Sequence, residues 1–453
     1  MLRRKSLEPM STSLNYYIET FGCQMNDRDS EIMAQLLNES ALPCSDISDA
    51  DIVLVNTCSI REKAEQKAMS LLGQLKTLKQ KKEEMIIGVV GCVAQQEGQR
   101  LLQRLPFVDL VMGPQCIYNL PTLLADIACD RKRIVAIDQS PSFVIPPFLP
   151  EVGNGPSHKR FITIMQGCNN FCTYCVVPYT RGREVSRAFT DIVSEARLLL
   201  EQGVKEITLL GQNVNSYGRD AEGQQIHTFA QLLRAVAGLP GLERLRFTTS
   251  NPKDLTPELL QCFADLPILC PHFHLPVQSG SDRVLQRMNR KYTRARYLEL
   301  VDALRTKRPD IAITTDIIVG FPGETEADFQ ETYSLVEEVR YHGAFSFKYS
   351  DRPQAKSVAF ADKVAEEIKA QRLALLQKRI DEIVLARNQE YIHQLLTVMV
   401  ESESKGRDGQ WHGRSGSNHI VHFDSRETLT PGRMVQVRIT EACQHSLRGE
   451  LQP

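Results

Sequence analysis

The sequence predicts an α/β fold class in three parts: an N-terminal open parallel α/β sheet domain, a central partial (βα)6 TIM-like barrel, and a C-terminal small all-β barrel. Two runs of alternating strand-like and helix-like segments are separated by a stretch rich in Pro and Gly, and short strands with turns follow them. A chain of 453 residues is long enough for about three domains. We predict domain boundaries at 1–145, 155–392 and 393–453.

Three cysteines in the N-terminal part share one context. Cys23, Cys58 and Cys92 each follow a strand-like run and precede a helical pattern; these patterns span Asp29–Asn38, Arg61–Lys79 and Gln95–Arg104. Strand, cysteine and helix in this order predict a parallel sheet with all three thiols at the carboxyl ends of its strands, where open α/β sheets bind ligands. Packing is the alternative role for each cysteine. The repeated position favours instead an iron-containing cluster that is held by the three thiols and has one iron without a protein ligand.

The central part begins after the stretch Gln139–Pro156, which has the composition of a linker. Regular βα alternation predicts a parallel sheet, and about six units suit a partial barrel, whose chemistry lies at the carboxyl-terminal mouth. The predicted strands are Phe161–Met165, Glu206–Leu210, Arg244–Thr248, Phe273–Leu275, Ala312–Val319 and Ala344–Lys348. The predicted helices are Thr190–Gln202, Phe229–Ala237, Pro257–Phe263, Arg294–Thr306 and Glu326–Val339.

A second group of three cysteines lies just after the first strand of this barrel. Cys168, Cys172 and Cys175 form a C-x3-C-x2-C spacing that offers three thiolates and no fourth ligand. An iron–sulfur cubane held by three thiolates leaves one iron free for a non-protein ligand. Zinc sites generally close with a fourth Cys or His, and the nearest downstream histidine is His227. Twelve cysteines are too few for a disulfide scaffold, and the N-terminus lacks a long apolar run, so we expect a reducing cytoplasm.

The run Gln166-Gly-Cys-Asn-Asn-Phe-Cys-Thr-Tyr-Cys resembles the signature of the radical-SAM superfamily. The resemblance implies a [4Fe–4S] cluster on the three cysteines, with S-adenosylmethionine bound at the open iron. Reductive cleavage of S-adenosylmethionine to a 5′-deoxyadenosyl radical is then chemistry of the cofactor. No catalytic residue is predicted beyond the cluster ligands.

The segments Thr20-Phe-Gly-Cys-Gln-Met-Asn, Asn56-Thr-Cys-Ser-Ile-Arg and Gly91-Cys-Val-Ala-Gln resemble the N-terminal motifs of the methylthiotransferase family, with Phe21 a conservative departure. The resemblance implies a second, auxiliary [4Fe–4S] cluster on Cys23, Cys58 and Cys92, whose open iron holds the sulfur that is methylated and delivered. The first two motifs are closest to the branch that adds a methylthio group to C2 of N6-isopentenyladenosine at position 37 of tRNA. The alternatives are the same chemistry on threonylcarbamoyladenosine or a ribosomal-protein aspartate, and a non-catalytic iron–sulfur RNA-binding protein.

Polar residues after later barrel strands are the candidates for the S-adenosylmethionine site. Gln212 and Asn213 follow the second strand, Ser250 follows the third, Gln278 follows the fourth, and Gly320 follows the fifth. In relatives the segment after the second strand often binds the amino group of the cofactor, and glycine permits close backbone approach. A turn or a helix cap is the alternative role for each residue.

The C-terminal strands resemble a TRAM domain, an OB-like RNA-binding module. Small barrels of this kind present basic and aromatic groups to nucleic acid. The candidate RNA contacts are Lys405, Arg407, Trp411, Arg414 and Arg433. Residues 393–453 carry seven basic and seven acidic side chains, so a docking role for this barrel stays open.

The resemblance also implies partners: a tRNA anticodon stem-loop carrying N6-isopentenyladenosine and an electron donor such as flavodoxin or ferredoxin. A monomer is expected. The longest apolar runs have strand length, so no membrane span is predicted. Lys and Arg total 54 against 55 Asp and Glu, so net charge does not indicate nucleic-acid binding. Two local basic runs are either solvated faces or binding patches: Arg181, Arg183 and Arg187, and Arg283, Arg287, Arg290, Lys291, Arg294 and Arg296.

Overall fold

The computed structural model describes residues 14–59, 62–140, 143–147, 158–219, 224, 226–404 and 409–452. The chain divides into two compact units. The first runs to residue 151 and also includes Tyr179–Gly182, and the second contains the rest. The predicted three-part fold class is confirmed, while the predicted domain boundaries stay a prediction.

The first unit contains, in its described part, a six-stranded parallel sheet in the order β2-β1-β3-β4-β5-β6. Its strands are β1 (Leu14–Thr20), β2 (Ala41–Pro43), β3 (Ile52–Thr57), β4 (Ile86–Gly91), β5 (Leu110–Met112) and β6 (Ile134–Ala136). Its helices are α1 (Gln24–Leu37), α2 (Glu62–Lys81), α3 (Cys92–Glu97), α4 (Gln99–Arg104) and α5 (Leu120–Asp130). Helices cover both faces, so the central strand β3 is buried along its whole length, as its Ile-Val-Leu-Val sequence predicts.

Two helices of this unit differ from the prediction. The first begins at Gln24, directly after Cys23, rather than at Asp29. The predicted helix Gln95–Arg104 is two helices, because Gly98 adopts φ 49° and ends α3. Periodicity alone does not locate such a break, since the apolar spacing continues across it.

In the second unit, the described strands β7, β10, β11, β12, β13 and β14 follow one another in chain order around a partial barrel. A bridge between Leu245 and Leu269 joins its two three-stranded sheets. The strands here are β7 (Lys159–Thr163), β8 (Met165–Gln166), β9 (Val185–Ser186), β10 (Glu206–Leu210), β11 (Arg244–Phe247), β12 (His272–His274), β13 (Ala312–Val319) and β14 (Gly343–Lys348). The helices are α6 (Val177–Thr180), whose last two residues belong to the first unit, α7 (Phe189–Glu201), α8 (Phe229–Ala237), α9 (Pro257–Asp265), α10 (Asp282–Arg287), α11 (Arg294–Lys307), α12 (Glu326–Val339) and α13 (Glu366–Gln389).

The same unit ends in a closed barrel in the order β15-β16-β17-β19-β18, as the sequence predicts. Its strands are β15 (Leu395–Glu403), β16 (Gln410–Ser415), β17 (Ile420–Asp424), β18 (Met434–Ala442) and β19 (Leu447–Leu451). Two buried arginines of β11 attach it to the partial barrel. Arg244 donates to the carbonyls of Arg414 and Thr397 at 2.7 and 2.8 Å, and Arg246 donates to those of Ser415 and Gly416 at 2.8 and 2.9 Å.

Replacing Gly91 with Ala is expected to destabilise the first unit. Gly91 has φ 91° and ψ −155°, a region that essentially only glycine adopts. An added Cβ would also lie 2.5 Å from Asn56 Oδ1 and 2.6 Å from the Thr57 carbonyl oxygen. We expect Gly91→Ala to cost roughly 1–3 kcal/mol in urea unfolding.

Gly73→Ala is the matched control, because Gly73 lies inside α2 with nothing within 4 Å of an added Cβ. It is expected to stabilise the chain by about 0.5–1 kcal/mol. Equal unfolding midpoints for the two variants would contradict the prediction.

Two partly buried histidines make the second unit sensitive to acid. The rings of His342 and His419 are 6.3 Å apart, and burial lowers the pKa of His342 to about 3 and that of His419 to about 4. Because an unfolded histidine titrates near pH 6.5, the stability they contribute is present above that pH and is lost as the pH falls toward 4. In urea unfolding from pH 7 to 4.5, we expect His419→Gln to lose less stability than the wild type. An equal loss of unfolding free energy in the two proteins would contradict this prediction.

Candidate functional site

The three N-terminal cysteines, here called the N-terminal triad, lie at one edge of the first sheet. Cys23 immediately precedes α1, Cys58 immediately follows β3, and Cys92 is the first residue of α3. Strands β1, β3 and β4 are neighbours whose ends align, with Thr20 paired to Asn56 and Thr57 paired to Gly91. The chain therefore leaves all three strands toward the same carboxyl edge, where the sequence predicts the thiols.

A glycine lets two of these cysteines approach each other. Gly22 has φ 122°, and a Cβ built on it would lie 2.3 Å from Cys58 Cβ and 2.9 Å from Cys58 Sγ. No larger residue fits between β1 and Cys58. This contact gives a physical reason for the Gly-Cys pair of the first motif.

Two asparagines of the cysteine motifs tie the strand ends together. The Asn26 amide donates to the carbonyls of Phe21 and Thr57 at 2.8 and 2.9 Å. The Asn56 amide donates in turn to the Asn26 carbonyl at 2.9 Å. These buried bonds fix the backbone beside Cys23 and Cys58 before any ligand binds.

The electrostatics of the N-terminal triad favour thiolate at one position. A hydrogen bond with Cys58, followed by the charge of Arg181, lowers the pKa of Cys23 to about 6. Burial raises the pKa of Cys92, and the charge of Arg181 opposes that rise. Since thiolate is the form that binds metal, a partly ionised, buried group of three cysteines suits a metal centre.

The second group of cysteines, the central triad, lies in a loop of the second unit that follows β8. Phe171, between Cys168 and Cys172, has φ 46°. The Asn289 amide holds this turn by donating to the carbonyls of Asn170 and Phe171 at 3.1 and 3.0 Å. The segment after α10 therefore fixes the shape of the cysteine loop.

Burial keeps two thiols of the central triad neutral. It raises the pKa of Cys168 to about 11 and that of Cys175 to about 12. Arg290, in the same segment as Asn289, donates through Nη1 to Cys172 Sγ at 3.5 Å. Its other groups bind Tyr292 Oη at 2.8 Å and the Pro276 carbonyl at 3.0 Å. A fixed guanidinium in this position stabilises negative charge on the sulfur.

The residues nominated for S-adenosylmethionine follow successive barrel strands, and they already make protein contacts. The Gly167 N–H donates to Gln212 Oε1, so Gln212 supports the cysteine loop, while its Nε2 is buried without a partner among the described residues. The Asn213 amide donates to Asp254 Oδ2 at 2.8 Å, and its Oδ1 likewise has no partner in the described part of the chain. Each of these two side chains thus retains a free polar atom.

The remaining three nominated residues have different surroundings. Ser250 Oγ donates to the His274 carbonyl at 2.5 Å, and Gln278 is nearly buried with φ 71°. Gly320 has φ 70°, and an added Cβ would lie 2.2 Å from Lys369 Cγ. A close approach at Gly320 does occur, and it is made by a side chain of α13.

Most of the basic residues in the two local runs form ion pairs within the protein, some of them buried and some at its surface. Arg181 pairs with Asp29, Arg187 with Glu195, Arg283 with Asp328, Arg287 with Asp362, Arg294 with Glu338, and Arg296 with Glu299. Arg290 contacts the central triad, and Arg183 lies 4.4 Å from the Phe171 ring centroid. The Arg181 and Arg187 side chains are buried, whereas those of Arg283 and Arg296 are 48% and 56% exposed. These two arginines of the first run are therefore not part of a solvated face, while the second run still contributes to one.

The RNA contacts nominated in the small barrel fall into three groups. Trp411 is 7% exposed and packs in the barrel core. The prediction that its ring contacts RNA is therefore wrong. Arg414 pairs with Glu401 at 3.3 Å, and Arg433 is exposed. Lys405 and Arg407 lie outside the described residues.

Each triad offers three free cysteines. Among the described residues, no three His, Cys, Asp or Glu side chains converge on a single ion. Cysteine thiolates are the usual ligands of iron–sulfur clusters, so the donor set of each triad fits such a cluster. The described part of the chain also has no helix both long and apolar enough for a bilayer.

Family profiles match three segments of the chain. Residues 15–113 match the uncharacterized protein family UPF0004, residues 162–336 match the radical SAM superfamily, and residues 389–452 match the TRAM domain. The two triads lie in the first and second of these segments. The predicted resemblances to the radical-SAM superfamily and the TRAM domain are confirmed.

Curated relatives match the chain over almost its whole length. A protein of Desulfotalea psychrophila named tRNA-2-methylthio-N(6)-dimethylallyladenosine synthase is 55% identical over 96% of this chain and 98% of its own. The chain belongs to this synthase family. A protein of Geobacter sulfurreducens with the same name is 50% identical over 98% of both chains. Membership of the radical SAM superfamily implies S-adenosylmethionine and a [4Fe–4S] cluster as cofactors.

Solved structures agree with the fold alone. A radical S-adenosylmethionine methyltransferase from Kitasatospora setae, TsrM, has a TM-score of 0.57 at 14% identity. The match covers 88% of this chain and 79% of that one. The comparison with curated relatives therefore establishes the synthase family. The fold is supported by that comparison and by the solved structures.

Removing the Asn289 amide is expected to weaken iron binding at the central triad. Asn289→Gly keeps the backbone free to adopt φ 59° and deletes only the two hydrogen bonds to the cysteine loop. At about 1 kcal/mol for each bond, we expect the folded conformation of the loop to be destabilised by roughly 2 kcal/mol. Iron content and visible absorbance after anaerobic reconstitution measure the effect.

Asn418→Gly is the control, because Asn418 has φ 71° and lies in the small barrel. It is expected to load as much iron as the wild type. Equal iron content in the Asn289 and Asn418 variants would show that the loop is ordered without the amide.

Proposed function

We propose that the chain is a radical-SAM methylthiotransferase that adds a methylthio group to C2 of N6-isopentenyladenosine at position 37 of tRNA. The observation that carries the proposal is the presence of two separate cysteine triads in a chain that matches the synthase relatives over 96% or more of its length. One triad would suffice for radical generation alone. A second triad, at the edge of a different sheet, is what sulfur delivery requires.

The proposal assigns three ligands to each of two [4Fe–4S] clusters. Cys168, Cys172 and Cys175 would hold the cluster that binds S-adenosylmethionine, and the N-terminal triad would hold the auxiliary cluster. Bound there, the cofactors supply the adenosyl radical, the methyl group and the sulfur. The chain contributes the six cysteine sulfurs, and Arg290 stabilises negative charge at Cys172.

Five residues are proposed to orient S-adenosylmethionine: Gln212, Asn213, Ser250, Gln278 and Gly320. Gln212 and Asn213 have the best support, since each keeps a buried polar atom without a partner in the described structure. An unpaired buried polar atom costs free energy, about 1–3 kcal/mol, that a polar ligand recovers. These two side chains can therefore bind and position a polar cofactor group.

The proposed partner is a tRNA anticodon stem-loop, supported by the printed name of the relatives and by the TRAM match. A base that reacts at C2 must leave its stack to reach the barrel mouth, as RNA loops permit. We also propose domains at 1–145, 155–392 and 393–453, an electron donor such as flavodoxin or ferredoxin, a monomeric state and a cytoplasmic location. The absence of disulfides among the twelve cysteines supports a reducing compartment.

Single cysteine variants separate the two proposed roles. Anaerobically reconstituted protein is reduced and incubated with S-adenosylmethionine and isopentenylated tRNA, and the nucleosides and 5′-deoxyadenosine are measured by mass spectrometry. Cys172→Ala is expected to abolish both products, because no radical forms. Cys58→Ala is expected to keep 5′-deoxyadenosine formation and lose the 2-methylthio nucleoside.

Two controls complete this experiment. Cys262→Ala removes a buried packing cysteine of the second unit and should leave both products. tRNA without the isopentenyl group should give no 2-methylthio nucleoside. If Cys58→Ala still formed the 2-methylthio nucleoside, the auxiliary assignment would fail. If the wild type cleaved S-adenosylmethionine without forming it, the substrate would have to be another nucleoside or a protein.

A further inference from the structure

A short segment after the central cysteines belongs to the first unit. Tyr179–Gly182 clusters with the N-terminal part of the chain rather than with its own neighbours in sequence. The Gln139 amide donates to the Tyr179 carbonyl at 3.0 Å, and the Gln115 amide donates to the Arg181 carbonyl at 3.4 Å. These bonds place the Arg181 side chain inside the first unit.

The Arg181 guanidinium is fixed from one side. Its side chain is 3% exposed, and Nη2 donates to Asp29 Oδ2 at 2.7 Å and to Asn26 Oδ1 at 3.0 Å. Asn26 also binds the carbonyls of Phe21 and Thr57, so the acceptor itself does not move. The pair with Asp29 neutralises the buried charge, since Asp29 is also nearly buried.

The other side of the same guanidinium is unsatisfied. Nη1 is buried and has no hydrogen-bond partner among the residues that the structure describes. A buried donor left unpaired is energetically unfavourable, and more so when it is charged. Arg181 thus makes two contacts through Nη2, while Nη1 is positioned to donate to a ligand that is not part of the described chain.

The thiols of the N-terminal triad lie beside the Arg181 guanidinium. Cys23 Sγ lies 3.8 Å from Asn26 Oδ1, the same oxygen that Arg181 contacts. The charge of Arg181 also acts on the pKa of both Cys23 and Cys92. An acceptor for Nη1 would therefore lie among sulfur atoms, and anionic sulfur accepts hydrogen bonds from a guanidinium.

We propose that Arg181 is a positioning residue of the auxiliary cluster, whose Nη1 donates a hydrogen bond to an anionic sulfur of that cluster. Asp29 and Asn26 hold the guanidinium for this contact. The inference rests on the proposed function, because it requires a cluster on the N-terminal triad. Hydrogen bonds to the sulfurs and net charge set the reduction potential of iron–sulfur clusters. A donor stabilises the more negative, reduced state, so Arg181 raises the potential.

The test measures the reduction potential of the auxiliary cluster alone, in the full chain carrying Cys168→Ala, Cys172→Ala and Cys175→Ala. Arg181→Met combined with Asp29→Asn deletes the donor while keeping the net charge of the pair at zero. In a titration monitored by electron paramagnetic resonance, we expect the potential to fall. The expected fall exceeds the roughly 59 mV that corresponds to a tenfold change for one electron. Asp29→Asn alone leaves an uncompensated positive charge and is expected to raise the potential.

Arg133→Met is the matched control. Arg133 belongs to the same unit, and its side chain binds the carbonyls of Val108 and Leu105 at 2.9 and 3.1 Å. Its removal changes the net charge by one without touching the triad, so the potential is expected to stay within the error of the measurement. An unchanged potential in the double variant at Arg181 and Asp29 would overturn the proposal, because Nη1 would then be satisfied by solvent.

If a cluster fails to assemble, the conclusion depends on which variant fails. If the background chain with three alanines loads no cluster, the proposed auxiliary site fails and the inference fails with it. If only the double variant loads no cluster, its urea unfolding midpoint without a cluster is compared with that of the background chain. An unchanged unfolding midpoint supports the proposal, since the cluster then needs the donor. A lowered midpoint overturns it, because Arg181 would be a folding residue.

Discussion

The in-register parallel pairing of β1, β3 and β4 is the constraint on which the first unit depends. Side chains alternate between the faces of a sheet, so a slip of one residue would exchange the side chains that β3 presents to its two covered faces and would move Cys58 away from Gly22. The pairs Thr20 with Asn56 and Thr57 with Gly91 hold that register up to the last residue of each strand. Three cysteines separated widely in sequence thereby become neighbours, with Gly22 and Gly91 adopting the positive φ angles that the chain needs beside them.

The two triads reach a similar electrostatic result by different routes. The N-terminal triad uses the ends of three strands, while the central triad uses one loop with Phe171 in a left-handed conformation. Beside each triad lies a buried arginine, Arg181 or Arg290, that makes contacts away from the sulfur. Burial alone raises the pKa of thiols, and a fixed cation offsets that cost for the anionic sulfur. Each unit thus contains its own charge compensation.

Local patterns in the sequence predict the triads, because strand, cysteine and helix follow one another within a few residues. They also predict the order of the barrel strands. The role of Arg181 could not be predicted, since its partners Asn26 and Asp29 lie far away along the chain. The basic run from Arg283 to Arg296 was equally ambiguous, because periodicity does not reveal acidic partners on other helices. Trp411 differs: the alternation along β16 already indicates an inward side chain.

The arginine contacts that hold the small barrel use peptide groups of the barrel as their acceptors. Arg244 and Arg246 donate to carbonyl oxygens of Thr397, Arg414, Ser415 and Gly416, which every amino acid possesses. Substitutions at these four positions that preserve the backbone path leave the acceptors in place. The side chains at these four positions are therefore free to diverge during evolution while the contact of the small barrel with β11 stays the same.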